Sequence, residues 1–61
     1  MNQTTFTIQH GKEIHTVNTT AGAVGAVLNL FPGLRNGKVS WKIEGRVTTV
    51  NGAYIVTEIP L

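Results

Sequence analysis

Two glycine-containing turn signals divide the C-terminal third of the chain into three short segments. Residues 38–43 (KVSWKI), 46–50 (RVTTV) and 53–59 (AYIVTEI) are rich in β-branched residues and alternate apolar and polar side chains over most of their length, as strands do. Glu44–Gly45 and Asn51–Gly52 separate them, and Asn-Gly is the strongest short signal for a tight hairpin. This region is therefore predicted to form a three-stranded antiparallel meander.

The N-terminal half predicts a hairpin followed by a helix. Residues 4–9 (TTFTIQ) and 12–18 (KEIHTVN) have strand patterns on either side of a turn at His10–Gly11. Apolar residues then repeat at i, i+3, i+4 and i+7, the spacing of one helix face, in the set Val24, Val27, Leu28 and Phe31.

The ends of this helix also have sequence signals. Thr19 or Thr20 is expected to cap its N-terminus, and Pro32–Gly33 to end it. The predicted fold is α+β: a small antiparallel sheet in the order ββαβββ with one helix packed on one face. Residues 1–61 are expected to form a single domain, because a chain this short supports one core at most.

Stability is a constraint on so short a chain. Domains of 61 residues bury a modest share of their surface, and small scaffolds usually need disulfides, a structural metal or a partner subunit. There is no cysteine, and two histidines are too few to hold a structural zinc ion. The composition favours association with another chain, because charged residues are only 13% of the sequence, against about 25% in typical domains. A homo-oligomer, expected to be a dimer, is the remaining source of stability.

The two faces of the sheet follow from the hairpin registers. Two-residue turns at Glu44–Gly45 and Asn51–Gly52 place Ile43 opposite Arg46 and Val50 opposite Ala53. One face then carries Val39, Trp41, Ile43, Val50, Ile55 and Ile59, and the other carries Lys38, Lys42, Val47, Tyr54, Val56 and Glu58. Trp41 is therefore predicted to be a core residue under the helix. A one-residue slip at Glu44–Gly45 is the alternative, and it would exchange part of each set.

A surface for self-association is predicted on the back of the helix. That side is uncharged, whereas exposed helix faces are normally polar or charged. The predicted oligomer interface combines it with apolar residues of the second sheet face, in the set Gly22, Gly25, Ala26, Asn29, Val47 and Val56. The alternative is a smooth surface exposed to solvent.

A basic cluster provides the best candidate for binding another macromolecule. Four of the five cations fall between residues 35 and 46. Cations that contact phosphates beside a stacking aromatic residue are typical of nucleic-acid-binding sheets. The predicted site for nucleic acid or an acidic partner is Arg35, Lys38, Lys42, Arg46 and Tyr54. A solvated sheet face is the alternative, since the net charge is only +2.

Catalytic chemistry is not indicated. The chain has no cysteine nucleophile, and no aspartate to orient a histidine toward Ser40, its only serine. His15 and Glu13 share one side of a strand but have no evident third ligand for a metal ion. The expectation is therefore a protein that is not an enzyme, with no cofactor and no metal site.

Segments for export or membrane insertion are not evident. The longest apolar run, near residues 21–34, is shorter than the roughly 20 residues that a bilayer requires. A cytoplasmic protein without a membrane partner is expected, in the host cytoplasm if the protein is viral.

In general character the chain resembles the small accessory proteins of bacteriophages and mobile elements. Like them it is very short, lacks cysteine and is rich in Thr, Asn and Gly. The resemblance implies a homo-oligomeric accessory or inhibitor protein that binds another macromolecule, such as a host protein. A small DNA- or RNA-binding protein that uses the basic sheet face is the alternative, and a virion or assembly protein is a second alternative.

Overall fold

The structure, a computed structural model, describes residues 2–60. Its strands are β1 (Thr4–His10), β2 (Glu13–Thr19), β3 (Trp41–Glu44), β4 (Val47–Val50) and β5 (Tyr54–Ile59). The helix α1 (Gly22–Leu30) lies between β2 and β3, and a short 3-10 helix, Pro32–Asn36, follows it. The predicted order ββαβββ is confirmed.

The five strands form one antiparallel sheet in the order β2-β1-β5-β4-β3. The first and last strands of the chain are neighbours in its middle. α1 lies between the two edge strands in the sequence and packs on β1, β2, β4 and β5. The predicted α+β fold, with a helix on one face of a small antiparallel sheet, is confirmed.

A small core lies between the helix and the sheet. Its buried apolar side chains are Phe6, Ile8, Ala26, Val27, Val50 and Val56. Thr48 is buried beside them. Six buried apolar residues among residues 2–60 make a small core, as expected of a short chain, which buries a modest share of its surface.

The helix is rotated relative to the predicted orientation. Ala26, expected on the outer side, is fully buried together with Val27, whereas Leu28 is only half-buried and lies outside the core cluster. The helix begins after Ala21, whose N–H donates to Thr19 Oγ1 at 3.0 Å, so Thr19 forms a local turn instead of the expected cap.

The turn between β3 and β4 falls one residue later than predicted. Glu44 pairs with Val47, and Gly45 and Arg46 form the two-residue loop, with Gly45 at φ 61°. Trp41 consequently pairs with Val50 instead of Thr48. The register differs by two positions, so each side chain of β3 keeps its predicted face.

The turn between β4 and β5 contains an extra residue, and this reverses the predicted faces of β5. Asn51 and Gly52 have positive φ, and Ala53 N–H donates to Val50 C=O at 3.0 Å, which closes a tight turn. The ladder nevertheless resumes with Val50 opposite Tyr54, so Ala53 is added like a bulge residue. A shift of one residue moves every side chain to the other face.

This shift corrects the predicted face assignments. Val56 is buried under the helix, in register with Thr48 and Ile8. Ile55 and Ile59, predicted under the helix, lie on the opposite side, which we call the open face. The open face of β1, β2, β4 and β5 has no charged residue and consists of threonines, Gln9, Asn18 and four exposed apolar residues, Ile14, Val47, Ile55 and Ile59.

Candidate binding surface at strand β3

The edge strand β3 is the most exposed element of the sheet. All four of its residues are exposed. Trp41 and Ile43 lie on the helix side, since they pair with the buried Val50 and Thr48. Lys42 and Glu44 alternate with them and lie on the open face.

Trp41 is not the core residue that the sequence predicted. Its side chain is 54% exposed, and Ile43 two residues further is 63% exposed. Both lie on the predicted face of the sheet, but α1 packs over the other four strands and β3 extends beyond it. Two large apolar side chains therefore stand next to each other at the edge of the sheet.

The predicted basic cluster is spread over four successive parts of the chain before, within and after β3. Arg35 lies in the last turn of the 3-10 helix, Lys38 in the loop before β3, Lys42 on β3 and Arg46 in the turn after it, and all four are exposed. Lys42 Nζ lies 3.8 Å from Glu44 Oε1. This ion pair is exposed to solvent and adds little to stability.

Tyr54 is not brought to these cations. The extra residue in the β4–β5 turn places it on the helix side, where its ring stacks on His10 with 4.2 Å between ring centroids. Its ring also lies 5.0 Å from that of Phe31. Trp41, not Tyr54, is thus the exposed aromatic residue beside the basic segment.

A shallow cleft of about 300 Å³ lies at the start of β3. Its lining residues are Ser40, Trp41, Lys42, Thr49 and Gly52. Asn51 holds its wall in place: Ser40 N–H donates to Asn51 Oδ1 at 2.8 Å, and Asn51 N–H donates to Ser40 C=O at 2.7 Å. Trp41 and Lys42 therefore both line this cleft, although their side chains lie on opposite faces of the strand.

The outer edge of β3 presents backbone groups for pairing. Backbone bonds in an antiparallel pair link alternate residues. The Asn51–Ser40 bond and the two-residue loop after Glu44 assign the bonds with β4 to Ser40, Lys42 and Glu44. The N–H and C=O groups of Trp41 and Ile43 consequently point away from β4. Within residues 2–60, β3 has β4 as its only strand neighbour.

The predicted oligomer interface is divided between the core and the surface. Ala26 and Val56 are fully buried within this chain, so they are not available to a partner. Gly25 has a local explanation, because a Cβ there would lie 2.6 Å from the Ala21 Cβ. Gly22, Asn29 and Val47 are exposed, and their role in self-association stays a prediction.

The histidines do not form a metal site with other residues of the described part. His15 Nε2 lies 3.9 Å from Glu13 Oε2, and its ring meets Phe31 edge-on. A group of three or more side chains suited to holding a metal ion is absent among residues 2–60. Packing around Phe31 is the observed role of both histidine rings.

Comparisons with known proteins place this chain beside no relative. No family model matches it, and neither the curated proteins nor the solved structures include a significant match. Among residues 2–60, no helix combines the length and the apolar character needed to cross a bilayer. The interpretation of the β3 surface therefore rests on its own geometry.

Proposed function

We propose that this chain is a small non-enzymatic binding protein that acts as a homodimer, with β3 as the edge through which it self-associates. The observation that carries the proposal is the exposure of Trp41 and Ile43 side by side on an edge strand. Exposed strand edges are templates for pairing with another chain. Large apolar side chains beside such an edge lose contact with water when it pairs.

The size of the core supports the same proposal. The accessible surface is 4268 Å², whereas about 3900 Å² is expected for a compact monomer of 6.6 kDa. With six buried apolar residues in the described part of the chain and no cysteine in the sequence, the isolated chain has few sources of stability. A second copy would add buried apolar surface at β3.

Self-association is testable by mass action. Sedimentation equilibrium from 5 μM to 1 mM is expected to show a reversible monomer–dimer equilibrium. The melting temperature is expected to rise over the same range, because dimerisation stabilises the folded state. A chain that stays monomeric up to 1 mM, with a melting temperature independent of concentration, contradicts the proposal.

The binding of another protein is assigned to the open face. This surface is continuous, uncharged on four strands and opposite the helix, so it stays accessible when β3 is paired. An accessory or inhibitor protein of the cytoplasm, acting on a host protein, fits such a surface. Ile55→Lys is expected to abolish capture of that protein while the dimer persists; loss of dimer and capture together would contradict this assignment.

Single-stranded nucleic acid is a second candidate partner, favoured by one observation. Trp41 is exposed and lines the same cleft as Lys42. An aromatic platform next to cations binds unpaired bases by stacking and by phosphate contacts. Because pairing at β3 would cover Trp41, this partner would compete with the homodimer.

Fluorescence titration distinguishes this candidate. An unstructured oligonucleotide is expected to quench Trp41 at 50 mM salt, to lose affinity steeply by 200 mM salt, and to bind Lys38→Gln and Lys42→Gln more weakly. Absence of quenching at tens of micromolar protein removes the nucleic-acid candidate and leaves the homodimer.

A further inference from the structure

The side chains of β3 form a self-complementary pattern when the strand meets a second copy of itself. Along Trp41–Glu44 the order is aromatic, cationic, aliphatic and acidic, followed by Gly45 in the turn. Ile43 stands between one positive and one negative residue. An antiparallel partner presents the same order in reverse, so a twofold axis at Ile43 brings unlike charges together.

We infer that a second copy of this chain docks on β3 in one register, with Ile43 opposite Ile43 of the partner subunit and Lys42 opposite the partner's Glu44. The inference rests on the proposed homodimer and specifies its geometry. Two five-stranded sheets then join into one continuous sheet with both helices on the same side.

The backbone allows this register. In antiparallel pairing, directly opposite residues share a face, and hydrogen-bonded pairs alternate with non-bonded pairs. The outward N–H and C=O groups belong to Trp41 and Ile43, so Ile43 forms the central hydrogen-bonded pair with the partner's Ile43. Lys42 and Glu44 fall at the non-bonded pairs, where opposite Cα atoms are closest, at about 4.5 Å.

Neighbouring registers are unfavourable. A twofold axis at Lys42 sets two lysines opposite each other, and an axis at Glu44 sets two glutamates opposite each other. Like charges directly opposite destabilise a strand pair. With the axis at Ile43, both cross-strand pairs are a lysine facing a glutamate.

The apolar side chains are also accommodated in this register. The two copies of Ile43 meet on the helix side, where each is 63% exposed in the single chain. Trp41 lies opposite Gly45 of the partner subunit, which has no side chain to displace an indole. Aromatic residues packed across glycine are a known way of stabilising strand edges.

The charges are expected to select the register, and the apolar residues to supply most of the affinity. Lys42 already forms an exposed ion pair with Glu44 of its own chain, with 3.8 Å between the charged atoms. Exchanging this glutamate for the partner's Glu44 therefore adds little binding free energy. Pairing through four residues gives an interface below the standard size, so a weak dimer is expected.

Charge reversal tests the register. Lys42→Glu makes both charged positions of β3 acidic, and Glu44→Lys makes both basic, so each variant alone meets like charges in its homodimer. Each is expected to raise the dissociation constant about tenfold. An equimolar mixture of the two is expected to form a heterodimer close to wild-type affinity, as is the double variant Lys42→Glu/Glu44→Lys. Circular dichroism checks that each variant is folded, and native mass spectrometry separates heterodimer from homodimers.

Cysteine cross-linking tests the position of the twofold axis independently. The chain has no cysteine, so one introduced thiol reports one contact. Cα atoms of a hydrogen-bonded antiparallel pair lie about 5.5 Å apart, within the range of a disulfide. Ile43→Cys is expected to form a covalent dimer on mild oxidation. Thr16→Cys, an exposed outward position on the other edge strand β2, is the matched control and is expected to stay uncross-linked.

The outcomes separate this inference from the proposed function. A dimer that is unaffected by charge reversal overturns the β3 register and keeps the homodimer at β3. A dimer that cross-links through Thr16→Cys instead of Ile43→Cys overturns both the register and the assignment to β3, and keeps self-association alone. A wild-type chain that stays monomeric overturns this inference and the proposed function together.

Discussion

The two edges of the sheet differ in how completely the chain covers them. β2 is seven residues long, pairs with β1 along its whole length and lies partly under α1, where Val17 packs against the core. β3 has four residues, all exposed, and its helix-side residues Trp41 and Ile43 extend beyond the helix. The position of one short helix therefore decides which edge of the sheet keeps exposed apolar side chains.

Backbone and side chains favour opposite edges for self-association. The longer β2 offers more backbone groups, with outward positions at Ile14, Thr16 and Asn18. β3 offers fewer backbone groups but two large apolar side chains and a self-complementary charge pattern. Burial of apolar area is the larger contribution in most associations, which is why we assign the proposed homodimer to β3.

The largest loss of stability is expected from a substitution on β1, the strand that pairs with β2. Ile8 is fully buried on β1, opposite His15 of β2 and Val56 of β5. Ile8→Ala should lower the free energy of unfolding by about 2–5 kcal/mol, because it leaves a cavity in a small core. Urea denaturation would measure this. Ile14→Ala is the matched control: Ile14 is 67% exposed on β2 itself, and a change within about 0.5 kcal/mol is expected there. Equal effects would contradict the described core.

A glycine-to-alanine substitution in each edge hairpin should have a smaller effect on the free energy of unfolding, and the effect should differ between the two hairpins. Gly11 in the β1–β2 turn and Gly45 in the β3–β4 turn both have φ 61°, and a Cβ added at either meets nothing within 4 Å. Alanine in this conformation is strained by about 1–2 kcal/mol. Gly11→Ala should show this loss in global unfolding, since β2 is held against the core.

Gly45→Ala should lower the free energy of global unfolding by less than Gly11→Ala does, because the exposed β3 can open locally while the core stays folded. Amide hydrogen exchange would detect the opening as reduced protection in β3. If both variants lost the same global stability, β3 would be as firmly held as β2, and the comparison of edges would fail.

The smallest effect on the monomer is expected at Trp41. Because the side chain is more than half exposed, Trp41→Ala should change the unfolding free energy of the monomer by less than about 1 kcal/mol, far below the 3–5 kcal/mol typical of a buried aromatic truncation. Measurement at low micromolar concentration keeps dimerisation out of the result. The same variant should weaken the dimer. A loss of several kcal/mol from the monomer would instead indicate that Trp41 is a core residue, which contradicts its observed exposure.

Local sequence patterns predicted the elements but not all of their faces. The turn signals at His10–Gly11 and Asn51–Gly52, the alternating segments and Pro32 predicted the order of strands and helix correctly. The face of β5 was wrong because Ala53 enters the loop as an extra residue. Alternation in residues 53–59 is compatible with either face, since both sides carry apolar residues, so the sequence contained no signal that excluded the bulge.

The candidate surface was only partly predictable. Lys42 was expected on the surface and lies there, whereas Trp41 was expected in the core and is exposed. The alternation of residues 41–44 was visible in the sequence. That β3 lies at an edge and outside the cover of α1 follows from the order of all five strands, which involves contacts between distant parts of the chain.

The sequence by itself determined the local choices: which stretches contain a turn, although not the residues of each loop, which segments alternate as strands, and where proline ends the helix. These depend on neighbouring residues, through backbone sterics and side-chain periodicity. The tertiary structure alone decided that β1 and β5 are neighbours, that Ala26 and Val56 enter the core while Ile55 faces outward, and that β3 is the uncovered edge. Burial is a property of the whole assembled chain, and a nine-residue helix can cover only part of a five-stranded sheet.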